Sequence, residues 1–275
     1  MLFRIRQALG QSWVLLIILS PLGVLADIVP VRPFPTPKDI PSKADEPSKA
    51  EKDYRRGRQF ADGNGVGQDY AQAAKLYRSA AEKGHAAAQY DLGYLYAQGL
   101  GVGRDWKQAA YWYRKAASQG DAEAENNLGA LYATGRGVHR NDREALHWYQ
   151  LAEEQGDPEA TSNLGMMYFR GRAVKRDYVR AFELLRKAAE LGYAVAQNNL
   201  ALMYANGQAV AKDYAWAYAW LDIASEKISA CADLRDRIAK EMSAEDIAHA
   251  HDLGARERGL ISERTGASQS PGAFQ

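Results

Sequence analysis

The sequence predicts an all-α chain: an α/α superhelical solenoid of about five 36-residue helix pairs, closed by a C-terminal capping pair. Three observations carry this expectation. Gly84, Gly120, Gly156 and Gly192 recur every 36 residues without an insertion, and Leu92, Leu128, Leu164 and Leu200 keep the same step, which is the signature of a stacked repeat array. Between these marks the apolar residues fall at helical spacing, as in Ala88, Leu92, Leu95 and Tyr96, so each unit presents stripes that only a neighbouring unit can cover. Five equivalent positions hold Asp69, Asp105, Asn141, Asp177 and Asp213, whose short acceptors suit the free N–H groups of a first helical turn.

In chain order, residues 1–26 have the three parts of a secretory signal peptide. Arg4 and Arg6 come first, then the apolar run from Trp13 to Leu19, then a small-residue exit at Val24, Leu25 and Ala26. The run contains too few apolar residues for a bilayer span, which needs roughly 20, so cleavage after Ala26 is expected and no membrane span should remain. Residues 27–52 gather Pro30, Pro33, Pro35, Pro37, Pro41 and Pro47 among charged and small residues, and are expected to form an extended, disordered linker.

The repeats are expected at 53–85, 86–121, 122–157, 158–193 and 194–226. In each, helix A ends at a left-handed glycine such as Gly99, and a short Gly- and Val-containing loop follows, its valine tucked under the helix pair. An acidic or amide residue such as Asp105 then caps helix B, whose stripe Ala109, Trp112, Tyr113 and Ala116 runs to Gly120. In the later chain, residues 228–241 read as one amphipathic helix of the cap spanning 227–262. Ser243 to Asp246 reads as a capping box opening a last helix to about Leu260, and residues 263–275 are expected to be a disordered tail.

Composition narrows the function classes. Of 275 residues 47% are apolar, Lys and Arg nearly balance Asp and Glu at a net charge of +1, and no run of like charge occurs. Nucleic acid and anionic lipid are therefore not expected as partners. The single cysteine, Cys231, excludes an intramolecular disulfide and a multi-cysteine metal site. His85, His139, His147, His249 and His251 never share a helix face at metal-ligand spacing and read as solvated surface groups. The glycine loops follow a helix and not a strand, which fits turns rather than phosphate cradles. No cofactor, metal or catalytic residue is expected.

The stretch Asn126 to Val138, followed by Ala145 to Tyr149 and Ala152 to Gly156, resembles the Sel-1-like repeat (SLR), a relative of the tetratricopeptide repeat. The likeness extends over about residues 53–226. Departures are Arg56 at a helix A leucine position, Asp142 at an aromatic one and Ala201 at a glycine one, so the first unit is expected to be a frayed or capping repeat. The resemblance implies a superhelix used for protein–protein contacts, often in bacterial envelope or secreted proteins. Some envelope members are linked to β-lactam binding, but they resemble a subgroup with paired cysteines that this chain lacks.

By register, the inner face of helix A carries Tyr90, Asn126, Ser162 and Asn198 in one row. Asp91, Asn127, Asn163 and Asn199 form the next, and Tyr94, Ala130, Met166 and Leu202 a third. Of these, Tyr90, Tyr94, Asn126, Asn127, Asn163, Met166, Asn198 and Asn199 are the expected partner-binding residues, because amides at every step can pair with an extended backbone while apolar neighbours grip side chains. Bonding between neighbouring repeats is the competing role for the second amide row. The expectation is thus a periplasmic or secreted scaffold, with no enzymatic activity, that takes another protein or an extended peptide in a groove roughly 40–50 Å long. A regulator docking on a sensor is one form of it. An envelope enzyme of the β-lactam or peptidoglycan-binding type, and a structural adaptor of a secretion or polysaccharide complex, stay open as alternatives.

Overall fold

The structure is a computed structural model that describes residues 47–266. The expected signal peptide, residues 27–46 of the Pro-rich stretch and residues 267–275 of the tail lie outside the described residues. Twelve helices and no strand occur among those described. Helices A of the repeats are α1 (Lys49–Asp62), α3 (Ala86–Gln98), α5 (Ala122–Thr134), α7 (Pro158–Arg170) and α9 (Ala194–Asn206). Helices B are α2 (Tyr70–Ala81), α4 (Trp106–Ala117), α6 (Asp142–Glu154), α8 (Tyr178–Glu190) and α10 (Tyr214–Ser225), followed by α11 (Ala230–Ala239) and α12 (Ala244–Thr265). The fold is an all-α, solenoid-type repeat fold.

Local chemistry sets the helix ends. Gly99, at φ 74°, donates its N–H to the Leu95 carbonyl and ends α3 in the left-handed conformation that glycine adopts without a Cβ penalty. Asp105 Oδ1 accepts from the amides of Lys107 and Gln108 at 2.9 and 3.1 Å, and Asp69, Asn141, Asp177 and Asp213 cap their helices in the same way. The capping residue's own N–H closes the loop onto helix A, Asp105 to Tyr96 and Asn141 to Tyr132, each at 3.0 Å. The loop valines are half-buried.

The chain divides into two compact units, the first through Leu164 and the second from Gly165. In the first, α1 packs on α2, α3 on α4 and α5 on α6, and α2 also meets α3 as α4 meets α5. Its core holds Tyr77, Leu92, Leu95 and Trp112 in one cluster and Tyr113, Leu128 and Leu131 in another. In the second, α9 lies against α8 and α10, and α10 carries both cap helices. Leu185, Leu200, Met203, Trp220 and Leu221 are closed off there by Cys231, Leu234 and Ile238 of α11.

Several sequence expectations need correction. The linker does not reach residue 52: α1 begins at Lys49, where Ser48 caps it. Of the two roles expected for the first repeat, frayed or capping, the frayed one does not hold. Asp53 accepts from Ser79 Oγ at 2.7 Å and Lys83 Nζ at 2.9 Å, and Glu51 lies 2.9 Å from His85 Nε2, so long-range partners hold the helix. His85 is no solvated surface group, since its Nδ1 accepts the Ala88 amide at 3.2 Å and its ring lies 4.4 Å from Tyr54. In the cap, α11 spans Ala230–Ala239, shorter at both ends than the expected 228–241. The last helix runs on to Thr265, where Arg264 pairs with Glu190 of α8, Ile261 joins the core and Gly266 ends the helix at φ 69°.

Candidate functional site

A cleft of about 490 Å³ opens in the first unit between the end of α1, the start of α2 and the middle of α3. Tyr70, Tyr77, Tyr90 and Tyr94 wall it, Leu95 and Leu100 add apolar surface, and Asp62 and Asp91 bring two carboxylates. Sequence-local features position each wall. Gly63 turns the chain at the end of α1 with φ 70°, and Gln68 Nε2 then donates to the Ala61 carbonyl at 2.8 Å and to the Tyr70 hydroxyl at 3.1 Å. Gly101 of the next loop lies so close to the Tyr70–Ala71 peptide that a Cβ there would overlap it, which places Leu100 beside the cleft. At Gly101, and at the equivalent Gly137, the loop glycine therefore serves close backbone approach.

The electrostatics follow from burial. Desolvation pushes the Tyr77 hydroxyl far above its usual range, with the carboxylates of Asp91 and Asp62 adding to the effect and Arg58 opposing it. Burial, then Tyr70, likewise raises Tyr94. The rings therefore stay neutral, as hydrogen-bonding hydroxyls on apolar faces. Asp62 is raised by burial against the opposing charge of Arg58, whose guanidinium stands 3.8 Å away.

Of the residues expected to bind a partner, Tyr90 and Tyr94 line this cleft. Tyr90 is only 3% exposed, its ring 5.8 Å from Tyr113, while Tyr94 is half-buried. Asn126 is 3% exposed and spends its amide inside the first unit: Oδ1 accepts from Asn163 Nδ2 at 3.0 Å, and the side chain also bonds Glu159. Asn127 is 7% exposed. Asn126 and Asn163 thus link successive helices A, a contact between neighbouring repeats of the kind foreseen for the second amide row. In the second unit Met166 packs against the core and Asn198 Oδ1 lies 3.5 Å from Cys231 Sγ, while Asn199 is half-buried.

Sequence reasoning missed the cleft itself. Tyr70 and Tyr77 could be read as an aromatic repeat position and a core stripe, and Asp91 stood on a named row, but nothing in the sequence marks Asp62 as their neighbour. A buried row of helix A polar residues was also missed, although the 36-residue step connects Gln89, Glu125, Thr161 and Gln197. Gln89 and Gln197 donate to the carbonyls of Ala81 and Ala189 at 3.0 and 3.1 Å, each reaching back to the preceding helix B.

A family profile described as the Sel1 repeat matches residues 51–85, 86–121, 122–157, 158–193 and 194–228. A solved Sel1 repeat protein from Oxalobacter formigenes is 36% identical over 64% of this chain and 73% of its own, with a TM-score of 0.59. A protective antigen from uropathogenic Escherichia coli strains, displaying an SLR fold, is 29% identical with a TM-score of 0.50; the match covers 82% of this chain and 57% of the antigen's. The immunity protein PA5088 from Pseudomonas aeruginosa is 21% identical over 86% of this chain and 89% of its own, with a TM-score of 0.48. The comparison with curated proteins finds no match. With five consecutive units matched in register, and a homologous solved repeat protein alongside, the chain belongs to the Sel1 repeat family, whose repeats form scaffolds that typically mediate protein–protein interaction.

Proposed function

We propose that the protein is exported and serves as a non-catalytic scaffold that docks an extended segment of another protein, anchored in the cleft walled by Tyr70, Tyr77, Tyr90 and Tyr94. The cleft is the observation that carries this reading. Its volume of about 490 Å³ lies within the roughly 300–1,000 Å³ of ligand-sized pockets, and its makeup of apolar walls with a few polar groups is that of a recognition site. Tyrosines suit such anchoring because a large rigid face is offered at little conformational cost. Export is supported by the charged start, the short apolar run and the exit at Val24, Leu25 and Ala26, and the mature chain should begin at Asp27, which mass spectrometry of the secreted fraction reads directly.

Partner binding is tested with variants of the full chain. Tyr94→Ala should weaken capture of the physiological partner at least tenfold, as loss of an aromatic anchor does. Lys107→Glu, on the exposed side of α4, should leave capture unchanged. The reverse pattern would move docking to the helix B face.

A further inference from the structure

We propose that the end of α7, the loop after it and the first turn of α8, all in the second unit, form a docking surface for an acidic segment of a partner protein that carries a large apolar side chain. Residues 170–180 hold Arg170, Arg172, Lys175, Arg176 and Arg180 against the single acid Asp177. The equivalent stretch of the fifth repeat, 206–216, sets Lys212 against Asp213, and that of the third, 134–144, sets Arg136, Arg140 and Arg143 against Asp142 and Glu144. The excess of positive charge is thus particular to the fourth repeat. Folding does not use it up. Arg170, Lys175 and Arg176 make no ion pair among the described residues, whereas Arg172 already has a partner. Arg180 bonds Glu183 at 3.1 Å with both side chains about half exposed, and Asp177 is committed to the helix end, its Oδ1 accepting the Arg180 amide at 2.9 Å. Burial, with Arg172 adding to it, works against the charge of Arg170, an imbalance that an arriving carboxylate offsets.

Among these cations stand Tyr178 and Val179, 36% and 58% exposed; Tyr111 is the other large apolar residue so open among the described residues. Phe169, 5.1 Å from the Tyr178 ring, widens this apolar footing. Val179 takes a position that holds Ala71, Lys107, Arg143 and Ala215 in the other repeats. A β-branched residue there disfavours the helix while burying little of itself, so packing does not account for it. Charge complementarity selects the occupant. An apolar side chain flanked by carboxylates meets both parts of the surface, the cations steering its approach and the guanidinium groups offering paired donors to each carboxylate. A neutral segment gains the apolar contact alone, and a basic one is repelled. An anionic bilayer fits less well, because Asp177 and Glu183 lie among the cations and would face its headgroups, whereas membrane-binding basic segments act through unopposed charge.

The test uses the purified full chain and fluorescein-labelled dodecapeptide pools, with binding read by anisotropy at physiological salt. Two pools carry a central Phe-Leu pair with flanks drawn from Asp and Glu or from Asn and Gln, and a third carries acidic flanks around a central Gly-Gly pair. The acidic Phe-Leu pool should bind about tenfold more tightly than either of the others, the worth of two or three exposed ion pairs or of one apolar contact. Lys175→Glu combined with Arg176→Gln should remove the advantage of acidic flanks, and Val179→Ser should remove that of the Phe-Leu pair, each variant checked by circular dichroism for unchanged helix content. Equal binding of the acidic and neutral pools, or binding of none, would overturn the proposal while leaving the cleft of the first unit untouched. Binding that survives the charge variant would also overturn it, and its loss with Tyr94→Ala would move the acidic segment to the cleft. Flotation with phosphatidylglycerol vesicles that the charge variant abolishes, with no pool bound, would assign the surface to a membrane and likewise overturn the proposal.

Discussion

At the scale of single residues, the crossing of helix A over helix B is set by what faces one glycine. A Cβ built at Gly57, Gly93 or Gly129 would come within 2.7–2.9 Å of the rings of Tyr77, Tyr113 and Tyr149. In the second unit leucine takes the place of that tyrosine. Gly165 there has its nearest neighbour, Leu185 Cγ, at 3.1 Å, and the fifth repeat holds Ala201 with Leu221 in the tyrosine's register. The departure at Ala201 was visible in the sequence, but its reason lies in the side chain across the crossing. Gly93→Ala should therefore cost about 1–3 kcal/mol by overpacking, whereas Gly165→Ala should stay within about 1 kcal/mol because Leu185 can shift and alanine favours the helix. Urea melts of the two variants compare them directly. Ala173 and Ala209 have φ of 59° and 70°, at loop positions where earlier repeats hold Gly65, Gly101 and Gly137. Replacing Ala209 by glycine should stabilise the protein by about 0.5–1 kcal/mol, the left-handed strain relieved less the entropy that glycine adds to the unfolded chain.

At the scale of elements, what is local was legible and what is long-range was not. The five caps, the left-handed glycines and the Ser243 and Asp246 capping box each depend on residues a few positions apart, and the structure has all of them. Asp105→Ala should cost about 1 kcal/mol in a thermal or urea melt, the usual worth of a capping acceptor. The start of α1 and the end of α12 were misjudged because their partners, Ser79, Lys83 and Glu190, lie 26 to 74 residues away. The same limit hid the inter-repeat site at the start of α7, where burial pushes the Glu159 carboxyl up to about 7. Asp157 and Glu123 add to that rise, while the bond from Asn126 opposes it. A folded pKa above the unfolded value means the native state holds more protons between about pH 4.5 and 7, so this group's contribution to stability falls as pH rises through that window. Glu159→Gln should accordingly stabilise the chain by about 1 kcal/mol at pH 8 and make little difference at pH 4, as melts at the two pH values will read.

At the scale of the molecule, the repeat step announced the fold class, since 36-residue units in unbroken register leave helix-pair stacking as the way to bury every stripe. The partner groove was less legible. Register places Asn126 and Asn198 on a common face, but whether an amide meets a ligand or a neighbouring helix depends on side-chain reach, and Asn126 turns to Asn163 and Glu159. Trp148 shares the register of Trp112 in the expected helix B stripe, yet its ring is half-buried while the equivalent Trp220 is 2% exposed. Trp220→Ala should thus cost about 3–5 kcal/mol and Trp148→Ala less, both read by denaturant melts. In the second unit burial pushes the Asp222 carboxyl up, but Arg258 at 2.5 Å and Arg235 at 2.6 Å outweigh it and hold it below its usual range. That stability is present above the unfolded value near 3.8 and is lost as pH falls below it.

The central claim, a scaffold that anchors a partner segment in one cleft of the first unit, is tested most directly by hydrogen exchange on the full chain with and without the physiological partner. Protection should rise at residues 61–70 and 90–100, the end of α1, the following loop and α3, and should vanish in the Tyr94→Ala variant. Protection confined to the outer surface of α4 and α6, around Lys107 and Arg143, would contradict the account.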